Sequence, residues 1–368
     1  MCRIGAIKSR NYIHPSQALI LMQSQQKGHD NSGFAMVMQD LGGIFESYKH
    51  LPTLSMACTD EGIAIAENIL HAEGFQRVMQ WVPEVSDKPG LDIAAMPNYV
   101  FETFDYPKQY KNAADKEKEE LLLDTRLKLR AALEPGEKGF AYSFWPDVVT
   151  LKEIGDPRDI GTYFKLWEAD DKFTARIITA QCRQNTNYDI VRYAAHPFFI
   201  QGYTALANGE NTFYQKNKDF QRKLHRGYIG FESDSQCFLY SLHYVHRELG
   251  WPLSYFKQVI TPLAFEQIEQ REDKEQLLAI RQALSHLEIN GPNTIIAVLP
   301  DGTMLNTCDA KKLRPVVVGK SEDMVAIASE VCGINEIMPD RDWEKDIYTN
   351  EREIVVIDNN LEVHRWKQ

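Results

Sequence analysis

Asp301-Gly302 separates two apolar, β-prone runs, Ile295-Ile296-Ala297-Val298 and Met304-Leu305. Both residues of the pair tolerate the positive φ of a type I′ turn, so the segment predicts a hairpin and antiparallel pairing in at least one sheet. Further strand-like runs, rich in β-branched and aromatic residues, fall at Gly33–Met38, Gly139–Thr150, Ala175–Ala180, Thr294–Leu299 and Glu353–Ile357. Between them, apolar residues recur at helical spacing over Pro15–Gln26, Lys116–Leu133, Ser235–Leu249 and Phe265–Leu287. Gly250-Trp251-Pro252 and Asn290-Gly291-Pro292 supply stops after the last two. Helices and strands are interspersed throughout, and 368 residues leave room for one large domain or two small ones. The charge-dense stretch Lys108–Arg130 reads as a solvated helix.

Several function classes are excluded early. The longest apolar runs, Ala18–Met22 and Ile354–Ile357, fall far short of the roughly 20 residues that a membrane span needs. Met1-Cys2-Arg3-Ile4 does not open a basic region followed by an apolar one, so a soluble, cytoplasmic protein is expected. The six cysteines are scattered without a C-x-x-C pair, which argues for reduced thiols and against a zinc site or an iron-sulfur cluster in this chain. A net charge of -11 argues against a nucleic-acid partner and leaves a small molecule or a protein.

Five short blocks carry chemistry. Removal of Met1 would make Cys2 the first residue, with a thiol and a free α-amine together. An amine of pKa about 8 can take the proton of a thiol of pKa about 8.5, so nucleophile and base share one residue. Gln26-Lys27-Gly28-His29-Asp30-Asn31-Ser32-Gly33 follows a helix and precedes a strand, and its glycines permit close backbone approach. Ala180-Gln181-Cys182-Arg183-Gln184-Asn185-Thr186-Asn187 places a guanidinium fork at a strand end, where it can bind a carboxylate through two parallel bonds. In Ala205-Leu206-Ala207-Asn208-Gly209-Glu210, the Asn208 amide and the Gly209 N–H can together hold an oxyanion. Phe231-Glu232-Ser233-Asp234-Ser235 precedes a helix that Ser233 or Asp234 can cap. His196 and the pair His243/His246 lack a carboxylate or cysteine at ligand spacing and read as core or surface histidines, with no metal site.

These blocks resemble those of class II glutamine amidotransferases, the N-terminal nucleophile hydrolases with Cys-Gly-Ile at the mature terminus and Q-H-R-G-x-D-S-A-G downstream. The third block is similar to the H-S-R-F-S-T-N-T signature of glutamate synthases, the fourth to L-A-H-N-G-E-I-N-T, and the fifth to S-D-S/T-E. A late segment, Asp309-Ala310-Lys311-Lys312-Leu313-Arg314-Pro315 followed by Ala328-Ser329-Glu330, resembles the D-R-N-G-L-R-P and A-S-E elements of the glutamate synthase glutaminase domain. Arg3 stands where the family has glycine, and the fourth block lacks its histidine and one residue after Glu210.

The resemblance implies an α+β fold, the four-layer αββα sandwich, over residues 2–368 with an insertion at roughly 50–170. It implies Cys2 as nucleophile, Asn208 and Gly209 as the oxyanion hole, Gly28 lining the glutamine pocket, Arg183 and Thr186 at the substrate, and Asp234 on its α-ammonium. It also implies L-glutamine as substrate and an FMN-dependent glutamate synthase-like subunit as the ammonia acceptor. No cofactor is expected in this chain; FMN, with an iron-sulfur cluster, belongs to that partner. Two alternatives stay open: a catalytically silent regulatory or scaffolding subunit, and a glutaminase serving another acceptor such as N-methylglutamate synthesis.

Overall fold

The computed structural model describes residues 2–25, 30–86, 90–92, 96–168, 171–185, 190–224 and 233–367. Two antiparallel sheets pack face to face. The first runs in the order β15 (Ile347–Tyr348), β13 (Val317–Lys320), β14 (Met324–Ala328), β1 (Arg3–Ile13), β8 (Ala175–Cys182), β2 (Phe34–Leu41), β7 (Val148–Glu153). The second runs β17 (Val363–Lys367), β16 (Glu353–Ile357), β12 (Met304–Cys308), β11 (Asn293–Val298), β10 (Tyr203–Gly209), β9 (Phe198–Ile200).

Strand side chains alternate between faces, so each inner strand feeds two cores. Ile4 and Ala6 of β1 meet Leu206, Ile296, Val298, Met304, Val325 and Val355 between the sheets. Ile7, Met36, Met38 and Ile178 face the other way, under α1 (Ser16–Ser24), α4 (Pro157–Tyr163) and α10 (Val331–Ile337), which contribute Leu19, Met22, Ile160 and Ile334. The outer face of the second sheet, with Ala205, Ile295 and Val356, is covered by Phe238 and Leu242 of α6 (Gln236–Leu242), Phe256 and Ile260 of α7 (Leu253–Ile260) and Ile280 of α9 (Lys274–Ala283). The result is the αββα sandwich. Burial on both faces is why strands such as Phe34-Ala35-Met36-Val37-Met38 read as continuous apolar runs.

A third sheet is built from the chain between β2 and β7. Its order is β4 (Gln76–Trp81), β5 (Asn98–Asp105), β3 (Pro52–Cys58), β6 (Gly139–Pro146). With α2 (Asp60–Glu73) and α3 (Asp115–Leu133) the element order is β-α-β-β-α-β, a split β-α-β arrangement around its own core of Leu54, Leu70, Phe75, Leu129 and Phe144. Thr59 caps α2 by accepting from Gly62 N–H, and Gly74 ends it at φ 87. Buried cations tie this module to the sandwich. Arg126 donates to Ala141 O, Phe199 O and the Tyr193 hydroxyl, at 3.2, 2.9 and 3.3 Å, and Arg130 donates to the same hydroxyl at 2.9 Å. Lys152 of β7 reaches Ala195 O and Tyr193 O, at 2.6 and 3.2 Å.

Four local expectations are corrected. The 301–302 turn is not type I′. Pro300 and Asp301 keep negative φ, only Gly302 lies at φ 84, and Gly302 N–H closes on Leu299 O at 2.9 Å, which is the longer hairpin loop. The run Gly139–Thr150 is broken at Asp147 (φ 59) into strands of two different sheets. The stretch 265–287 splits into α8 (Phe265–Ile268), α9 and a 3-10 turn at Ser285–Leu287, because Glu269–Asp273 has no apolar side chain to bury. The helix in the charged stretch is not solvated all round: Leu121, Leu122, Thr125, Arg126, Leu129 and Arg130 of α3 are buried. In addition, α6 continues as a π-helix over His243–Glu248.

Candidate active site

Antiparallel pairing of β1 with β8 sets Arg3 opposite Cys182, so the start of one strand and the end of the other share one edge of the sandwich. Across the inner core, β10 ends at that same edge. Cys2, Arg183, Asn208, Gly209 and Asp234 therefore line one pocket of about 60 Å³, with Glu210, His196 and Arg314 also in its wall. A larger cavity of about 580 Å³ opens at the opposite end, by Lys8, Trp145, Asp147 and Gly302, and neither thiol nor imidazole lines it. Cys2, the candidate nucleophile, sits in the smaller pocket.

The Cys2 thiol lies 3.4 Å from both Gln184 O and Gln184 N. Burial pushes its pKa up, while the Gln184 N–H and the charge of Arg183 act in the opposite direction. A thiol held protonated in this way needs a base close by to react. Arg183 is 4% exposed; its N–H donates to Gly33 O at 2.7 Å and its guanidinium to Asn185 Oδ1 at 3.0 Å. The turn that carries it is clamped by the second sequence block. Asn185 N–H donates to Asp30 Oδ2 and Ser32 Oγ at 2.8 and 2.9 Å, and the Ser32 hydroxyl donates to Arg183 O at 2.9 Å. Gly28 of that block and Thr186 lie outside the described residues.

Asn208 is buried, its amide nitrogen 3.5 Å from Ser329 Oγ, which also receives Ile4 N–H at 3.2 Å. Gly209 has φ 150, and a β-carbon there would stand 1.9 Å from Pro292 O. The shortened loop beyond it is firmly tied. Glu210 N–H donates to Pro292 O at 2.9 Å, Asn211 N–H to Asp234 Oδ2 at 2.7 Å and Thr212 N–H to Asn290 O at 2.7 Å, before α5 (Tyr214–Leu224) begins.

Burial raises the Asp234 carboxyl to about 6, helped by the charge of Glu210, while Asn211 N–H and the Ser233 and Ser235 hydroxyls favour its ionised form. Of the two capping candidates Ser233 takes the role: its Oγ accepts Ser235 N–H and Gln236 Oε1 accepts Ser233 N–H, each at 3.3 Å, while the Asp234 carboxylate turns toward Asn211 and the serines. Arg3, foreign to the family pattern, points away from the pocket: its Nε donates to Gln25 O at 2.8 Å, at the end of α1, and its guanidinium lies 3.7 Å from Glu330.

Three wall residues escaped the sequence reading as site residues, and Glu210, inside the fourth block, had been given no role. Arg314 belongs to the late segment noticed only for its family likeness. His196, read as a core or surface histidine, is buried in the wall of this pocket. His243 and His246 lie elsewhere, against Gln201 Oε1 at 2.9 Å and the Tyr203 hydroxyl at 2.8 Å. Among the described residues no group of three or more His, Cys, Asp or Glu could hold a metal ion, and no helix is long and apolar enough to cross a membrane.

No family model matches the chain. An uncharacterised protein of Archaeoglobus fulgidus is 26% identical over 305 residues, 82% of this chain and 78% of its own. A protein of Methanothermobacter thermautotrophicus named "Putative glutamine amidotransferase" is 27% identical over 201 residues, 53% of this chain and 54% of its own. Among solved structures, the glutamine phosphoribosylpyrophosphate amidotransferase of B. subtilis, complexed with ADP and GMP, matches 100% of this chain and 49% of its own, with a TM-score of 0.40 and 11% identity. Each of these two amidotransferases is matched over about half of its length. The chain folds as a four-layer αββα sandwich and is similar in sequence to a protein named as a putative glutamine amidotransferase.

Proposed function

We propose that this chain hydrolyses L-glutamine to glutamate and ammonia, with Cys2 as nucleophile after loss of Met1, and passes the ammonia to a partner synthase. One observation carries the reading: five groups drawn from separate stretches of sequence, Cys2, Arg183, Asn208, Gly209 and Asp234, line a single pocket. A guanidinium and a carboxylate beside a thiol suit a zwitterion whose side chain ends at the sulfur.

In this reading the Cys2 α-amine takes the thiol proton, and the thiolate attacks the side-chain amide carbon of glutamine. Asn208 Nδ2–H and Gly209 N–H receive the oxyanion. The protonated amine returns its proton to the leaving nitrogen, ammonia departs, and a glutamyl thioester remains. Water then cleaves the thioester, releasing glutamate and the thiol. Arg183 and Asp234 hold the two charged ends so that amide and sulfur meet. Gly28 and Thr186 are assigned to the same substrate. Ammonia set free in water becomes ammonium and loses its nucleophilicity, so the acceptor proposed is an associated FMN-dependent, glutamate synthase-like subunit that carries the FMN and iron-sulfur chemistry.

Intact mass and a glutaminase assay, with and without the partner, test this on the wild type and Cys2→Ala. Loss of one methionine mass together with glutamate release that vanishes in Cys2→Ala supports it. Retained Met1, or no turnover even with the partner present, replaces it with the silent-subunit reading.

A further inference from the structure

His196 is 4% exposed and its ring lies in the wall of the Cys2 pocket. Two donors meet its Nδ1, the Ala207 backbone N–H at 3.2 Å and the Gln181 side-chain amide at 2.9 Å. The orientation of that amide is fixed, because Gln181 Oε1 accepts His196 N–H at 2.6 Å. A ring nitrogen that receives two N–H donors presents its lone pair, so the ring proton resides on Nε2. Burial and the charges of Lys152 and Arg183 keep the imidazole neutral.

Nε2 lies 3.2 Å from Ser233 Oγ. That oxygen also receives Ser235 N–H at 3.3 Å, which directs its own proton to Asp234 Oδ1, 3.3 Å away. The donors therefore run one way, from Gln181 through His196 and Ser233 to the carboxylate, and such chains reinforce each bond they contain. The backbone that carries the ring is itself held, since Lys152 donates to the carbonyls of Tyr193 and Ala195.

We propose that His196 is a positioning residue for the substrate ammonium: through Ser233 it fixes the orientation of the Asp234 carboxylate across the pocket from Arg183. The inference rests on the glutaminase reading and extends it to a residue that touches neither sulfur nor oxyanion donors. Its effect therefore falls on binding and not on the chemical step.

Steady-state kinetics of His196→Ala, Ser233→Ala and His196→Gln test it, with the rate of Cys2 alkylation by iodoacetamide as a report on the thiol and the fold. In the Ala variants the glutamine KM rises about tenfold or more, while kcat and alkylation stay within about threefold of wild type. A Gln side chain can accept from Ala207 N–H and donate to Ser233, so His196→Gln restores KM to within about threefold. A wild-type KM in both Ala variants overturns the proposal, as does a loss confined to kcat. If His196→Ala does not fold, Ser233→Ala decides, because it removes the linking hydroxyl and leaves the imidazole in place. A wild-type protein that neither binds nor hydrolyses glutamine overturns the glutaminase reading itself, and is told apart because the failure then precedes any substitution.

Discussion

Gly209→Ala is expected to separate the stability of this fold from the geometry of its site. At φ 150 an L side chain is strained, and its β-carbon would lie 1.9 Å from Pro292 O and 2.6 Å from Asn293 Cα, both backbone atoms that cannot rotate away. The end of β10 must then move about 1 Å from β11 to clear a contact that real β-carbons do not make. The conformational strain costs about 1–3 kcal/mol. The Glu210–Pro292 bond, which the shift disrupts, adds about 1 kcal/mol. Urea unfolding followed by circular dichroism should show a loss of about 2–4 kcal/mol. In the fraction that folds, the Gly209 N–H is displaced by about as much as costs roughly 100-fold in turnover when reacting groups are misplaced. Gly136→Ala is the control. Gly136 also lies at positive φ (82), but a β-carbon there meets only Lys138 Cε at 3.8 Å, so the variant carries strain without a clash and keeps its turnover. A Gly209→Ala protein within about 0.5 kcal/mol of wild type, or one no slower than Gly136→Ala, would refute the reasoning.

Two further substitutions probe the buried charges. The Asp234 carboxyl ionises near 6 in the fold, above the value of about 3.9 it has unfolded, so the native state binds its proton more tightly and stability falls as pH rises from about 4 to about 6. Asp234→Asn lacks this fall: it should be more stable than wild type at pH 7, by on the order of 1–3 kcal/mol, with a glutamine KM raised about tenfold, and denaturant titrations at pH 4 and pH 7 check the first part. Lys152→Met leaves the carbonyls of Tyr193 and Ala195 without their buried donor and should cost about 2–4 kcal/mol in urea unfolding, whereas a neutral effect would show that water replaces the ammonium.

Much of the central architecture was legible because its strands are buried on both faces and carry apolar runs, as in Phe34-Ala35-Met36-Val37-Met38 and Ile295-Ile296-Ala297-Val298. The third sheet was harder to read. Gln76–Trp81 is half exposed, and Pro52–Cys58 mixes Thr, Ser and Ala into its run, so neither shows a clear period of two. Pro300 was the overlooked signal at the hairpin, since its ring fixes a negative φ and pushes the turn one residue earlier. In the site, Cys2, Arg183, Asn208, Gly209 and Asp234 were found by likeness of short blocks, each at the end of an element, where side chains face a pocket. His196 has no such block. What it does depends on Gln181, Ala207 and Ser233, which lie 15, 11 and 37 positions away and are brought together only by the fold. The roles of Asp30 and Ser32 were hidden in the same way: their partners are on the turn after β8.

The split β-α-β module occupies the connection between β2 and β7, which are direct neighbours with Gln39 opposite Val148. In topological terms it replaces a hairpin loop, so a lineage could acquire it without moving the register of any other strand. Losing it is another matter. Arg126 and Arg130 now supply donors to the Tyr193 hydroxyl and Phe199 O, and Ser55 accepts Thr150 N–H of β7 at 3.0 Å. Deleting the module would take those bonds away from groups in the interior, next to the segment that carries His196. A module at a topologically free position is in this way held fast by the buried cations it contributes.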